Sequence, residues 1–306
     1  MTTDLWQPHE IRAGEAGPLH ELLADRDRVD GLLAEHGALV LRGFGVTEDS
    51  LDPVLDGLLP DRLAYVHGNS PRTKVGGNVY TSTEYPPEFT ISMHSELSYA
   101  HTWPSRLLFF CAVAAESGGA TPVADNSRWL AALDPEVRAA FRGGVRYTQN
   151  LHGGLGLGRS WQRTFETGDR AAVDAFLAGA PAEWTWLPDG GLRVSQVRPS
   201  TTVHPGTGEE VWFNQADQWH PATLGDELAA ELAELLPPEE LPQSVTFADG
   251  APIPAEYVLH VREQGLNCAV DVAWRPGDVM VVDNVRAAHG RRPFSGARRV
   301  LVAMSG

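Results

Sequence analysis

Leu107 to Ala115 is an unbroken apolar run, Leu-Leu-Phe-Phe-Cys-Ala-Val-Ala-Ala. A bilayer-spanning helix takes about 20 such residues, so this run reads instead as a strand buried on both faces. Ala38-Leu39-Val40-Leu41 and Val279-Met280-Val281-Val282 have the same character. Turn chemistry separates the strands. Gly118-Gly119-Ala120-Thr121-Pro122 reads as a hairpin leading into a second strand, and Pro205-Gly206-Thr207-Gly208 joins segments 198–204 and 210–214. The C-terminal strands are expected at 269–274, 278–283 and 298–303. Helical spacing of apolar residues marks 19–36, 47–60, 127–140, 168–180 and 223–236, while 254–262 suits helix or extended chain. Two stretches read as loops: a polar, aromatic binding loop over 61–92 and a flexible, lid-like loop over 143–165. Many short strands with helices set between and around them predict a mainly β protein with helical insertions, organised as one domain over 1–306.

The chain carries 24 basic and 40 acidic residues, a net charge of −16. Nucleic acid and anionic membranes call for basic patches, so neither is an expected partner. The two cysteines, Cys111 and Cys268, lie in apolar settings and read as reduced, buried thiols. No basic-then-apolar leader is visible at the N-terminus. A soluble, cytoplasmic protein is expected.

Met93-His94-Ser95-Glu96 places a histidine and a carboxylate two residues apart. On an extended segment, side chains at i and i+2 share a face, so His94 and Glu96 can reach one ion together. Eleven histidines and 40 acidic residues in 306 positions give roughly 1.4 such pairs by chance, and the chain has one. The pair alone is therefore weak; its other reading is a solvated turn. An imidazole with a carboxylate suits Fe(II), Mn(II) or Zn(II), and a distant second histidine would complete a facial triad with open positions for chemistry. His289 is placed for this, shortly after the apolar strand ending at Val282. The chain then returns through Arg298-Arg299-Val300-Leu301-Val302-Ala303. Alternation sets Arg298 and Arg299 on opposite faces, so one of them points inward. A buried guanidinium is costly unless paired, and a small dicarboxylate would pair it.

Taken together, His94-x-Glu96, Gly118-Gly119-Ala120-Thr121-Pro122, Asp283-Asn284 with His289-Gly290-Arg291, and Arg298-Arg299 resemble the taurine dioxygenase family of Fe(II)- and 2-oxoglutarate-dependent oxygenases. The resemblance runs from about residue 36 to residue 304. It implies a double-stranded β-helix (jelly-roll, cupin-like) core. It also implies Fe(II) on His94, Glu96 and His289, and 2-oxoglutarate held by Thr121 and Arg299, since the family's arginine is the second of the pair. Asp283 or Asn284 would orient the ligands or support the turn. With O2 as co-reactant, an unactivated C–H bond would be hydroxylated, with release of succinate and CO2; desaturation or ring closure is the alternative outcome.

Glu96 stands where taurine dioxygenase itself has aspartate, as in the clavaminate synthase-like and asparagine oxygenase branch, which acts on amino acids and their derivatives. The substrate expected from this is a small molecule, an amino acid or derivative, free or tethered to a carrier protein. A second family arginine, four residues on, is replaced here by Ala303, which weakens the case for a sulfonate. Asn78, Tyr80, Ser98, Tyr99, Asn150, His152 and Asn214 are candidate substrate contacts, with Arg72 and Arg159 as weaker candidates for a substrate carboxylate. His101, His204 and His220 are not expected to be ligands. A small molecule outside the amino acids, or a metal-bound jelly-roll that binds without turnover, are the competing readings.

Overall fold

The computed structural model describes residues 6–64, 72–83, 85–154, 156–225, 231 and 234–306. Its centre is a pair of β-sheets. One has seven strands in the order His9–Arg12, Ala38–Arg42, Val279–Asp283, Arg106–Val113, Arg299–Ser305, Val79–Thr81, Lys74–Gly76. The other has four, in the order Val270–Val272, Thr121–Asp125, Ala287–Arg291, Ile91–His94. The expected mainly β core with helical insertions is what forms. All three apolar runs lie side by side in the larger sheet, with Val279–Asp283 paired to both of the others.

Both faces of the larger sheet are covered, which explains the unbroken apolar runs. Phe109, Cys111, Val300, Val302 and Met304 join the core shared with the smaller sheet. Leu108, Phe110, Leu301 and Ala303 belong to a second core, under the helices of the N-terminal region. Those helices break where short-range chemistry demands it. The expected helix 19–36 is two helices, Leu19–Ala24 and Arg26–His36. Asp25 lies between them and accepts from the Arg28 amide at 3.2 Å, capping the second. Gly37, at φ 73°, ends it in the left-handed region and turns the chain into the strand Ala38–Arg42. Segment 127–140 likewise divides into Asn126–Ala132 and Pro135–Phe141, with Pro135 opening the second helix.

One expectation differs from the structure, one is decided by it, and one lies beyond it. Segment 143–165 is not one flexible loop. Val145–Leu151 is a strand flanked by Leu192–Arg198 and Gln243–Phe247 in a separate four-stranded sheet. Its buried residues, Val145, Tyr147, Gln149 and Leu151, alternate as a half-buried strand requires. Segment 254–262 is helical, within Ala255–Asn267. The helix expected over 223–236 begins near a short 3-10 turn, Pro221–Leu224, but residues 226–230, 232 and 233 lie outside the described residues. No helix among the described residues is long and apolar enough to cross a membrane.

The smaller sheet draws together residues nearly two hundred positions apart. His289 lies within the strand Ala287–Arg291 rather than past a strand end, and its direct cross-strand partner is His94. The ladder is irregular between His289 and Arg291. There Gly290 sits so close to its neighbour that an added Cβ would fall 2.6 Å from the Ile91 carbonyl oxygen. Gly290→Ala should therefore force the two histidine strands apart. We expect it to cost about 1–3 kcal/mol of stability and to weaken divalent-metal binding, read by chemical denaturation and by Co(II) titration in parallel.

Candidate active site

His94, Glu96 and His289 are all buried, and their ligand atoms lie within 4.8 Å of one another. Cross-strand pairing brings the imidazoles together, tilted at 48° with ring centroids 4.3 Å apart. His94 Nδ1 lies 3.0 Å from the Ser92 carbonyl oxygen. A proton on Nδ1 makes that bond and leaves the Nε2 lone pair for a metal. Burial disfavours the charged form of both imidazoles. His94 is lowered by desolvation, against the raising effect of Glu96. His289 is lowered well below the usual histidine value by desolvation, then by His94 and Arg72. Two neutral imidazoles and a carboxylate on one side of a cavity form a donor set that suits Fe(II). The Glu96 carboxylate is also ion-paired to the buried Arg72 guanidinium, so Arg72 lies in the wall of the metal pocket.

Side-chain amides hold the ligand segment in place. Asn284 accepts from the Glu96 amide at 2.7 Å and donates to the Glu96 carbonyl at 2.9 Å and the Pro104 carbonyl at 2.8 Å. Asn126 donates to the Ser95 hydroxyl, and Gln215 donates to the Ser95 carbonyl. These contacts surround a strained turn: Leu97, next to Glu96, sits at φ 57°. Of the two candidates for support, Asn284 acts on the Glu96 backbone. Asp283 instead accepts from the amides of Val285 and Arg286 and pairs with buried His204 at 2.9 Å, stabilising the turn toward His289.

The expectation for Arg299 is corrected by the geometry. Arg299 lies on the outer face, 40% exposed, in a two-bond pair with Glu48. Arg298 lines the same cavity as His94, His289 and Thr121. It shares the inward parity of Val300 and Val302, whereas Arg299 shares that of Leu301 and Ala303. Arg298 Nε donates to the Gly119 carbonyl at 3.2 Å, and Nη1 makes a long bond, 3.3 Å, to the Ser82 hydroxyl. Among the described residues no carboxylate pairs with it. Burial, with Arg291 nearby, pushes its pKa down to about 10. A buried guanidinium so thinly satisfied suits an incoming carboxylate. Thr121, also in this wall, accepts from Trp274 Nε1 at 2.9 Å, which leaves its own hydroxyl proton to donate. The position four residues beyond Arg298 is Val302, so the cavity lacks a second arginine at that offset on either numbering of the pair.

The proposed substrate contacts are dispersed. Asn78 Nδ2 donates to the Arg62 carbonyl in a turn. Asn150 bonds the Glu239 and Leu241 carbonyls and accepts from Arg193. Asn214 bonds the Ser200 carbonyl and the Ala216 amide. These three amides are committed to backbone and scaffold. Tyr80 is buried in the inter-sheet core, and Tyr99 packs against Tyr147 and Trp219. His152 accepts from the Gly154 amide. Ser98 is buried, and its hydroxyl makes no hydrogen bond among the described residues. None of the seven lines the cavity that holds the two histidines. His204 and His220 are engaged with Asp283 and the Ile253 carbonyl, away from the metal pocket.

Residues 7–305 match the family model described as "Taurine catabolism dioxygenase TauD, TfdA family". The dapdiamide synthesis protein DdaC of Enterobacter agglomerans is 38% identical over 278 residues, covering 90% of this chain and 84% of its own. A clavaminate synthase-like protein of Arabidopsis thaliana is 32% identical over 289 residues, covering 90% and 83%. The fold is shared with PvcB of Pseudomonas aeruginosa, at TM-score 0.54 and 17% identity over 98% of this chain and 86% of that one. It is shared as well with an asparagine oxygenase solved with Fe(II), 3-hydroxyasparagine and succinate, at TM-score 0.53 and 16% identity over 94% and 78%. The jelly-roll core and its buried His-Glu-His cluster define an Fe(II)- and 2-oxoglutarate-dependent oxygenase. The chain belongs to the TauD, TfdA family.

Because Asn284 fixes the Glu96 backbone from both sides, Asn284→Ala should loosen the metal set without removing a ligand. A 10–100-fold loss of Fe(II) affinity, with about 1–3 kcal/mol of stability, is the expected result of metal titration and denaturation.

Proposed function

We propose that this oxygenase hydroxylates an unactivated C–H bond of an amino acid or amino-acid derivative, free or carrier-bound, in a cytoplasmic biosynthetic pathway. The observation that carries the reading is the convergence of His94, Glu96, His289, Thr121 and Arg298 on one buried site. His94, Glu96 and His289 would hold iron on one side. Arg298 and Thr121 would bind the distal carboxylate of 2-oxoglutarate. With O2, the bound iron and cosubstrate supply the oxidising equivalent, leaving succinate and CO2. The protein's contribution is to orient and to exclude water. Ser92 fixes the His94 tautomer, Asn284 fixes the carboxylate ligand, and Phe109 packs on His289 with centroids 5.0 Å apart. The glutamate at the carboxylate position supports an amino-acid substrate, as does the likeness to a dapdiamide synthesis protein and to the fold of an asparagine oxygenase.

The test incubates purified protein with Fe(II), 2-oxoglutarate, air and a panel of L-amino acids, free and carrier-loaded, following succinate and product mass. Gain of one oxygen on a panel member supports the reading; succinate formation with no altered member argues against an amino-acid substrate. His289→Ala should abolish succinate release while the fold persists. Arg298→Ala should raise the KM for 2-oxoglutarate by about 10–100-fold, the value of a charge-assisted pair. Arg299→Ala, which breaks only an exposed ion pair, should change it less than about twofold.

A further inference from the structure

Beside the metal pocket lies a second cavity, of about 240 Å³, that shares Thr83 and Ile91 with it. Its floor is continuous with the ligand set. Ser92 lines it, and the Ser92 carbonyl that fixes His94 also accepts from Gln218 Nε2 at 3.1 Å. The cavity continues, past Gln218, Leu224 and Gln243, into a hollow of about 210 Å³.

Among the described residues, the wall of this chamber holds one charged residue, Arg262, carried on the helix Ala255–Asn267 that packs against the strand Ile91–His94. Arg262 is half-buried, and its one hydrogen bond among the described residues is from Nη1 to the Thr223 carbonyl, 2.7 Å. A guanidinium has five N–H donors, so four are uncommitted to described groups. No carboxylate among the described residues forms an ion pair with it. Asp217 is close enough to feel its charge, but neither Asp217 oxygen makes a well-formed hydrogen bond. The other described polar residues lining the chamber, including Thr83, Thr90, Ser92, Gln218 and Thr223, are uncharged.

We propose that Arg262 is the specificity residue that binds a carboxylate of the substrate. The substrate would thus be anchored in this chamber while its reacting carbon reaches over Thr83 and Ile91 to the metal pocket. The proposal rests on the oxygenase reading above for the place of the reaction, but the anion site itself is independent of turnover. A fork of donors on a half-buried planar cation recognises a carboxylate through two parallel bonds, and a neutral amide cannot replace both. The substrate class is therefore a carboxylate-bearing amino acid or N-acylated amino acid presented as the free acid at this end.

The experiment uses the full chain loaded with Fe(II) and 2-oxoglutarate without air. It is titrated calorimetrically with the L-amino acids and their N-acetyl derivatives, each as the free acid and as the primary carboxamide. We expect at least one acid to bind ten-fold or more tightly than its amide. Arg262→Gln should erase that preference while 2-oxoglutarate affinity stays within twofold, and Arg262→Lys should keep part of it. Thermal unfolding of both variants verifies that the fold is retained. No acid preferred over its amide, or a preference that survives Arg262→Gln, overturns the proposal. Air is then admitted and product mass is read. Oxygen gained equally by acids and amides would sink the anchor but keep the oxygenase reading. Acids that bind through Arg262 yet gain no oxygen would keep the anchor and sink the amino-acid hydroxylase reading.

Discussion

The His94–Glu96–His289 cluster depends on one backbone contact, the close approach of the strands Ile91–His94 and Ala287–Arg291. Because His94 and His289 are direct cross-strand partners, their imidazoles converge without help from a flexible loop. The approach is possible because Gly290, between the histidine and Arg291, offers no side chain to the facing Ile91 carbonyl. Glu96 stands beyond the end of the first strand, in a turn with a left-handed residue, and needs separate support. Three amides, from Asn126, Gln215 and Asn284, supply it. His94 and His289 are thus positioned by sheet geometry and Glu96 by buried polar groups, each of which is costly to remove because its partner would be left unsatisfied.

Two arginines of the pocket show how the same burial problem has two solutions. Arg291 donates to the carbonyls of Tyr85, Pro86 and Phe89 and lies over the Phe294 ring. Both of its Nη groups are taken up by backbone carbonyls, while Nε makes no hydrogen bond among the described residues, and its effect is to tie the 85–89 segment to the strand that carries His289. Arg298 also lies over Phe294 but gains only one carbonyl and one long hydroxyl contact. The turn at Gly118 and Gly119, both at positive φ, brings the Gly119 carbonyl to it; a Cβ on Gly119 would come within 3.2 Å of Arg298 Cδ. Arg291 therefore reads as a structural latch, and Arg298 as a cation kept available to an anion.

Much of this was legible in the sequence. The apolar runs gave the central strands, and the His94-x-Glu96 pair with His289 gave the cluster that the fold assembles. The choice between Arg298 and Arg299 was not legible from alternation, because both faces of that strand are buried along most of its length. What separates them is tertiary: the outer face opens to solvent beside Glu48, while the inner one stays enclosed. The strand Val145–Leu151 was missed because the nearby glycines suggested a loop, although its alternate burial follows period 2. The amides of Asn126 and Gln215 carried no local signal, since their partners lie 31 and 120 residues away. The asparagines named as substrate contacts are likewise engaged by partners that sequence alone does not signal. Asn78 bonds a carbonyl 16 residues away, Asn150 carbonyls 89 and 91 residues away, and Asn214 a carbonyl 14 residues away as well as the nearby Ala216 amide.

The distribution of charge bears on how such a site meets its ligands. The chain is acidic overall, at −16, yet its metal pocket is walled by Arg72, Arg291 and Arg298. At physiological ionic strength exposed charges are screened beyond about 8 Å, so the surface acids repel an approaching dianion only weakly. Inside the cavity screening is less effective, and the local cations dominate. Of these, Arg72 is ion-paired to Glu96 and Arg291 bonds three carbonyls, so the attraction left for a dicarboxylate centres on Arg298. The same reasoning separates Arg262 from Arg298: they line different chambers. Two anionic groups would then meet different guanidinium groups rather than compete for one.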